Sequence, residues 1–348
     1  MRLEPVADPG LVRLIGLPVL ALAATVGVAS VLAMLAGANP LAVLGLIVQG
    51  AAGSKFAALE TLNRATPLIF TGLAVAVAFR AKLWNIGAEA QLYAGALMTV
   101  VIGTQLGLPG MLALPLMAGA AILTGGLVLL GPVLLKVRLG VDEVVTTLLF
   151  NFIMLLFVSM LLEGVLKDPM GMGWPKSPAL PRDARLPRIV EGLRLHWGFG
   201  LALISAVLVW VIQVKTTLGY EIRAVGQNPQ AARFAGIPVG RVMVKTALLS
   251  GGLAAMAGFS EVAGLKGSLT LDLSPGFGYT GIVVAMLALL HPLGVVLSAI
   301  FVAGVFVGAN SMSRAAEVPT YIADISVATA LLFMVLAILL TRFRVVRG

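Results

Sequence analysis

Cysteine is absent from the 348 residues, which excludes disulfide frameworks, thiolate metal sites and cysteine nucleophiles together. Charge is scarce too: Asp, Glu, Lys and Arg make up 11% of the chain, against roughly a quarter in soluble domains. Histidine occurs twice, as His196 and His291, both at expected membrane boundaries, where a solvated or capping role is the ordinary one. The sequence carries no Gly-x-x-x-x-Gly-Lys-Ser/Thr phosphate loop, no His-Glu-x-x-His and no Gly-x-Ser-x-Gly. Neither a catalytic residue nor a metal site is therefore expected, and the chain does not read as an enzyme.

What is abundant is apolar. Hydrophobic residues make up 59% of the chain and the mean hydropathy is +1.05, with 40 glycines and 18 prolines among them. The expected fold class is all-α: a single polytopic membrane domain over 1–348, its helices packed through small residues and interrupted by broken or re-entrant segments. Spans of roughly 20 apolar residues are expected near 14–36, 62–79, 86–105, 111–134, 144–162, 199–214, 243–262, 276–290, 293–311 and 322–341. Residues 40–56 are too short a run to cross and read as interfacial or re-entrant. The crossing at 276–290 is short and follows an irregular stretch from Lys266 to Gly276.

The basic residues orient these spans. With both termini inside, Arg2, Arg13, Arg80, Lys82, Lys136, Arg138, the cluster from Lys215 to Lys245, and Arg342, Arg344 and Arg347 are cytoplasmic, as the positive-inside rule requires. Residues 163–198 then form a long extracytoplasmic loop, and short outer connections keep Lys55, Arg64, Lys266 and Arg314. The formal charge of +9 reads as topogenic, not as a nucleic-acid footprint. Gly72-Leu-Ala and Phe79 recur at an offset of 180 as Gly252-Leu-Ala and Phe259, in segments of opposite direction. An inverted repeat gives that pattern, and so does chance in an Ala/Gly/Leu background.

Two segments stand out. The loop 216–245 predicts a helix from Tyr220 to Val225, a turn over Gly226-Gln-Asn-Pro229, a second helix from Pro229 to Ala235 and a stop at Gly236-Ile-Pro238. Such a knob is either a basic topological loop or a docking element for a cytoplasmic partner. At the start of the third span, Asn85 and Glu89 fall i,i+4 on one helix face while Gln91 points elsewhere. An acid inside a span is a functional candidate; pairing with Arg80 or Lys82, and bonding to backbone at a broken helix, are its structural alternatives. Asn151 lies deep in the fifth span, whereas Glu261, Asn310 and Asp324 sit near helix ends. Asp142-Glu143 complements a helix N-terminus. Phe277 and Tyr279 suit stacking on a ring-shaped ligand or anchoring at the interface. An ion-coupled transporter using Glu89 or Asp324, and a non-transporting scaffold, are the rival classes.

Three motifs in order, Asn85-Ile-Gly-Ala-Glu-Ala-Gln91, Arg223 through Ile237, and Gly278 through Ala285 followed by His291-Pro-Leu-Gly294, make the chain resemble the permease subunits of bacterial ABC importers. The resemblance is to the branch that serves nucleosides and simple sugars, within the branched-chain amino acid and ribose-type permeases. It departs at Ala90, where the family often has glycine. The resemblance implies an inverted-repeat fold of about ten spans in the bacterial cytoplasmic membrane. Cytoplasmic ATP-binding subunits would hold ATP and magnesium, this chain binding no cofactor. A second permease subunit, related or identical, would complete the path, and an extracytoplasmic binding protein would deliver the solute. Coupling to the ATPase would run through Glu221, Arg223, Ala224, Gly226, Asn228, Pro229, Ala231, Ala232 and Gly236, and β-branched substitution of Gly226 or Gly236 is expected to abolish transport while sparing insertion. The path candidates are Asn85, Glu89, Asn151, Phe277 and Tyr279. Nucleosides are the expected cargo, with ribose- or galactose-like sugars or riboflavin as alternatives.

Overall fold

A backbone that crosses hydrocarbon must satisfy its own N–H and C=O groups, and a helix does so within one segment. The computed structural model describes residues 2–5, 10–35, 37, 39–315 and 320–346; Arg347, part of the terminal charge reading, lies outside them. The helices are α1 (Leu11–Leu35), α2 (Pro40–Ala52), α3 (Lys55–Arg80), α4 (Ala88–Gln105), α5 (Gly110–Leu139), α6 (Glu143–Glu163), α7 (Gly198–Lys215), α8 (Thr217–Gln227), α9 (Pro229–Phe234), α10 (Val239–Ser260), α11 (Phe277–Leu287), α12 (Pro292–Ala315) and α13 (Thr320–Arg342). A π-helical extension, Glu261–Lys266, continues α10.

Six helices among the described residues are long and apolar enough to cross a membrane: α3, α5, α6, α7, α10 with its extension, and α12. The other expected crossings coincide with α1, α4, α11 and α13. Of these, α11 has 11 residues, about 16 Å and so about half the hydrocarbon thickness. The 13 residues of α2 are likewise too few to cross.

The chain divides into two units, Met1–Arg64 with Ile300–Gly348, and Ala65–Ala299. In the first, α1 packs along α13, and a short antiparallel ribbon joins β1 (Arg2–Pro5) to β2 (Phe343–Val346). This ribbon is the departure from an all-helical chain, and it sets both ends of the described chain side by side. Ala309, Met312 and Val327 form a small core with Ile47 and Phe306. Arg64, assigned by its charge to an outer connection, lies inside α3 with its guanidinium 5.2 Å from the Phe306 ring centroid.

The second unit is built on α4, α5 and α10. A Cβ on Gly125 would strike the Gly251 carbonyl and one on Gly251 the Gly125 carbonyl, and Gly95 and Gly258 are pressed equally hard against α10 and α4 backbone. Without a hydrophobic drive between helices in lipid, such close approach supplies the packing energy, and it accounts for many of the glycines. The 30 residues of α5 extend about 45 Å and define two sides. At one, Gly110 N–H donates to Asp183 of the 163–198 loop at 3.2 Å. At the other, Lys136 binds Glu143 and the Lys82 carbonyl.

The 163–198 loop is anchored by backbone bonds. Ser177 N–H donates to Leu269 O at 2.9 Å, Leu180 N–H to Gly267 O at 2.7 Å and Leu186 N–H to Ala263 O at 2.8 Å. His196 is 1% exposed, which corrects the solvated alternative, while its Nδ1 caps Gly198 N–H at 3.1 Å. Burial pushes its pKa down to about 4.

Candidate functional site

Two interrupted segments meet inside the second unit. After α3 the chain runs without helix from Ala81 to Gly87, with Lys82 at φ 52, before α4 begins at Ala88. After the π-helical extension, Gly267 at φ 74 and Gly276 at φ 88 bracket a second irregular run that ends where α11 begins. The N-terminal ends of α4 and α11 face each other so closely that a Cβ on Gly278 would overlap the backbone of Ala88 and Glu89.

Glu89 joins the two ends. Its carboxylate accepts the Gly278 N–H at 2.6 Å and bonds the Ser274 side chain. Ser274 Oγ in turn accepts the N–H groups of Gly276 at 3.2 Å and Phe277 at 2.8 Å. The acid thus lies where two helix starts converge, and their positive ends compensate its charge. This geometry is that of backbone bonding at a broken helix, not of a pair with Arg80 or Lys82.

Asn85 corrects the sequence reading. It precedes α4 and shares no helix face with Glu89, and Gln91 turns toward it: each amide donates to the other at 2.9 Å. Asn85 also donates to Ser250 Oγ at 3.0 Å and accepts Gly87 N–H at 3.0 Å, while Ser250 donates to the Ala74 carbonyl at 2.7 Å. The other face of the segment is held by α6. Glu143, Thr147 and Asn151, spaced four apart, accept the N–H groups of Trp84 at 3.3 Å, Ile86 at 3.3 Å and Ala90 at 2.9 Å. That polar stripe at helical spacing was visible in the sequence and was not read as a unit. Asp142 caps α6 through Val144 N–H at 2.7 Å.

A cavity of about 230 Å³ opens beside the junction, lined by Glu89, Tyr93, Asn151, Phe152, Leu155, Leu271, Ser274, Gly276 and Tyr279. Of the expected path residues, Glu89, Asn151 and Tyr279 line it. Asn85 is fully buried and Phe277 is 4% exposed, so these two pack behind the wall. Sequence reasoning missed Tyr93, whose hydroxyl donates to Leu271 O at 2.5 Å; its i,i+4 spacing from Glu89 was the available signal. Asn310 bonds its own helix at Phe306 O, His291 caps Gly294 N–H and Asp324 is exposed.

The family model described as "Branched-chain amino acid transport system / permease component" matches residues 57–341. The chain belongs to this permease family. It is 34% identical to a glucose ABC transporter permease protein of Haloferax volcanii, over 95% of this chain and 89% of the relative. It is 35% identical to a guanosine ABC transporter permease protein of Bacillus subtilis, over 88% and 91%, and 29% identical to a nucleoside ABC transporter permease protein of Lactococcus lactis, over 80% and 79%.

In this permease the 216–245 segment is a helical hairpin knob. The first helix, α8, is longer than the expected 220–225 and includes Gly226; the turn contracts to Asn228. Thr216 Oγ1 caps α8 through Gly219 N–H at 3.3 Å, and Asn228 Oδ1 caps α9 through Gln230 N–H at 3.0 Å and Ala231 N–H at 3.1 Å. Ile222, Val225, Gly226 and Ala232 face inward, and Glu221, Arg223 and Ala224 are half-buried. Arg223 donates to the Gln213 carbonyl. Gly226 sits against the Arg80 carbonyl, so the knob is seated on the end of α3 beside the broken segment. Asn228, Pro229, Ala231 and Gly236 are exposed, as are Tyr220 and Phe234 at 62% and 96%.

Proposed function

We propose that this permease is the membrane subunit of an ATP-driven importer that carries nucleosides through the cavity at the α4–α11 junction. One observation supports the reading above the others: the cavity wall and the exposed knob are joined, because the 81–90 segment, whose Glu89 lines the cavity, begins at the Arg80 carbonyl on which Gly226 rests. Movement of the knob by a cytoplasmic ATP-binding subunit is thereby passed to the cavity through a few residues of backbone. The two states of such a cycle differ in the position of rigid elements, which is the usual form of a switch.

The basic residues Arg80, Lys82, Lys136, Arg138 and Arg223 share the knob side, which supports a cytoplasmic knob; the terminal ribbon separately supports both termini lying on one common side. The α11 segment reaches from Gly267, bonded to Leu180, to Leu290, whose carbonyl accepts Arg80 Nε at 3.1 Å. This supports counting it as a broken crossing in a ten-span chain of the bacterial cytoplasmic membrane. The paired half-helices support inverted halves: Asn85 accepts Gly87 N–H as Ser274 accepts Gly276 N–H, each two residues on. A second permease subunit and an extracytoplasmic binding protein complete the assembly.

The guanosine relative and the aromatic lining of the cavity favour nucleosides; the glucose relative makes simple sugars the second reading. Uptake of labelled nucleosides and sugars into proteoliposomes holding this chain with its copurifying subunits decides between them. ATP-dependent nucleoside uptake is expected. Gradient-driven flux through this chain alone refutes the importer reading.

A further inference from the structure

Asn151 does more than hold the broken segment. Its Oδ1 accepts the Ala90 N–H at 2.9 Å and its Nδ2 donates to the Ile86 carbonyl at 3.0 Å. A backbone N–H only donates and a carbonyl only accepts, so the amide has one orientation; flipped, it would set like groups against each other twice. The other Nδ2 proton meets the Tyr279 hydroxyl at 3.0 Å. An amide NH2 offers no acceptor, so the Tyr279 oxygen receives this bond and keeps its own proton to give elsewhere.

Tyr279 is 39% exposed and lines the cavity. The other side-chain donors there are committed within the protein. Tyr93 donates to Leu271 O and accepts the Ser274 N–H at 3.4 Å. Glu89 receives Gly278 N–H and bonds Ser274. Both Asn151 donors are in use. Among the described residues, the Tyr279 proton is the side-chain donor left facing the cavity.

We propose that Tyr279 is the group that reads the solute, fixed as a donor by Asn151 as its positioning residue, and that it selects a ring bearing a hydrogen-bond acceptor. The ring packs against Phe152, Leu155 and Leu271. The proposal rests on the cavity lying on the solute path and adds which chemical group is recognised there. A site built around a directed donor rejects the analogue that lacks the matching acceptor more strongly than apolar contacts alone can.

The test uses the assembled transporter in proteoliposomes with guanosine and analogues in which one acceptor is replaced by C–H or one donor is removed. Wild type is expected to lose about threefold to tenfold in uptake efficiency with one acceptor-deleted analogue. Tyr279→Phe, which keeps the ring, loses that factor with guanosine and nothing further with the same analogue. Asn151→Asp keeps the acceptor for Ala90 but takes the Tyr279 proton, and is expected to behave like Tyr279→Phe; where it fails to reach the membrane, Tyr279→Phe decides. A sugar cargo moves the same design to deoxy and fluoro sugars. Coupling of Tyr279→Phe to a donor-deleted analogue, or to none while wild-type uptake is intact, overturns the proposal. Absence of ATP-driven uptake of both solute classes by wild type refutes the path reading itself.

Discussion

Asn85 shows how one amide holds a junction: it satisfies Gln91, Ser250 and Gly87 at once with no exposure to solvent. Asn85→Ala strands several buried polar groups, and a loss of about 2–4 kcal/mol is expected, read as a lower unfolding temperature in detergent with little protein in the membrane. His196 gives a pH prediction. Its folded pKa of about 4 lies below the unfolded value of about 6.5, so only the unfolded chain takes up the proton in between. Stability is therefore full above pH 6.5 and falls as pH drops toward 4, by about 3 kcal/mol at most. Thermal unfolding across that window is expected to show this slope in wild type and a flatter one in His196→Leu, whatever that variant's absolute stability. Among single residues, the sequence disclosed Glu89 and Asn151 because polar groups are conspicuous in apolar spans. Tyr93 and Ser274 stayed hidden because aromatics and serines are ordinary there, and only the fold brings them to one cavity.

At the scale of elements, hydropathy disclosed where helices lie and a gap at each of the two breaks, the first of them only as far as residue 85. Residues 266–276 announce themselves with Gly267, Gly276, Ser274 and Pro275. Residues 81–86 contain neither glycine nor proline, and a helix from 86 was the natural expectation. That break is imposed from outside, by Glu143 and Thr147 taking the N–H groups of Trp84 and Ile86. The knob was legible from its turn residues and caps, yet its two glycines are not equivalent. Gly236 has φ 81 and open space around it, whereas a Cβ on Gly226 meets the Arg80 carbonyl, which cannot yield. Gly236→Ala is expected to cost about 1 kcal/mol of local strain and to change uptake less than threefold. Gly226→Ala is expected to lower ATP-driven uptake by about tenfold or more, as a loss of about 1.4 kcal/mol or above. Uptake normalised to membrane-inserted protein, for both variants side by side, checks the difference.

For the whole molecule, the absence of cysteine makes orientation directly measurable. A single cysteine at Gln230 on the knob, and another at fully exposed Met172 in the 163–198 loop, can each be labelled with an impermeant maleimide against a silent background. The expected result is labelling of Met172→Cys in intact cells and of Gln230→Cys only after permeabilisation. The reverse pattern inverts the topology and moves the knob away from any cytoplasmic ATPase.

The junction of the half-helices also governs how the protein is made. Asn85 waits for Ser250, 165 residues later, and Glu89 for Gly278, 189 residues later. At about 5–20 residues per second, the polar segment leaves the ribosome some 10 to 40 s before its partners exist. During that interval its carboxylate and amides stand in a nascent membrane without their final bonds, where unpaired polar groups are costly. A ribosome stalled anywhere before residue 278 leaves a chain with correct hydropathy and an unfinished centre, because the Gly278 N–H that Glu89 accepts does not yet exist.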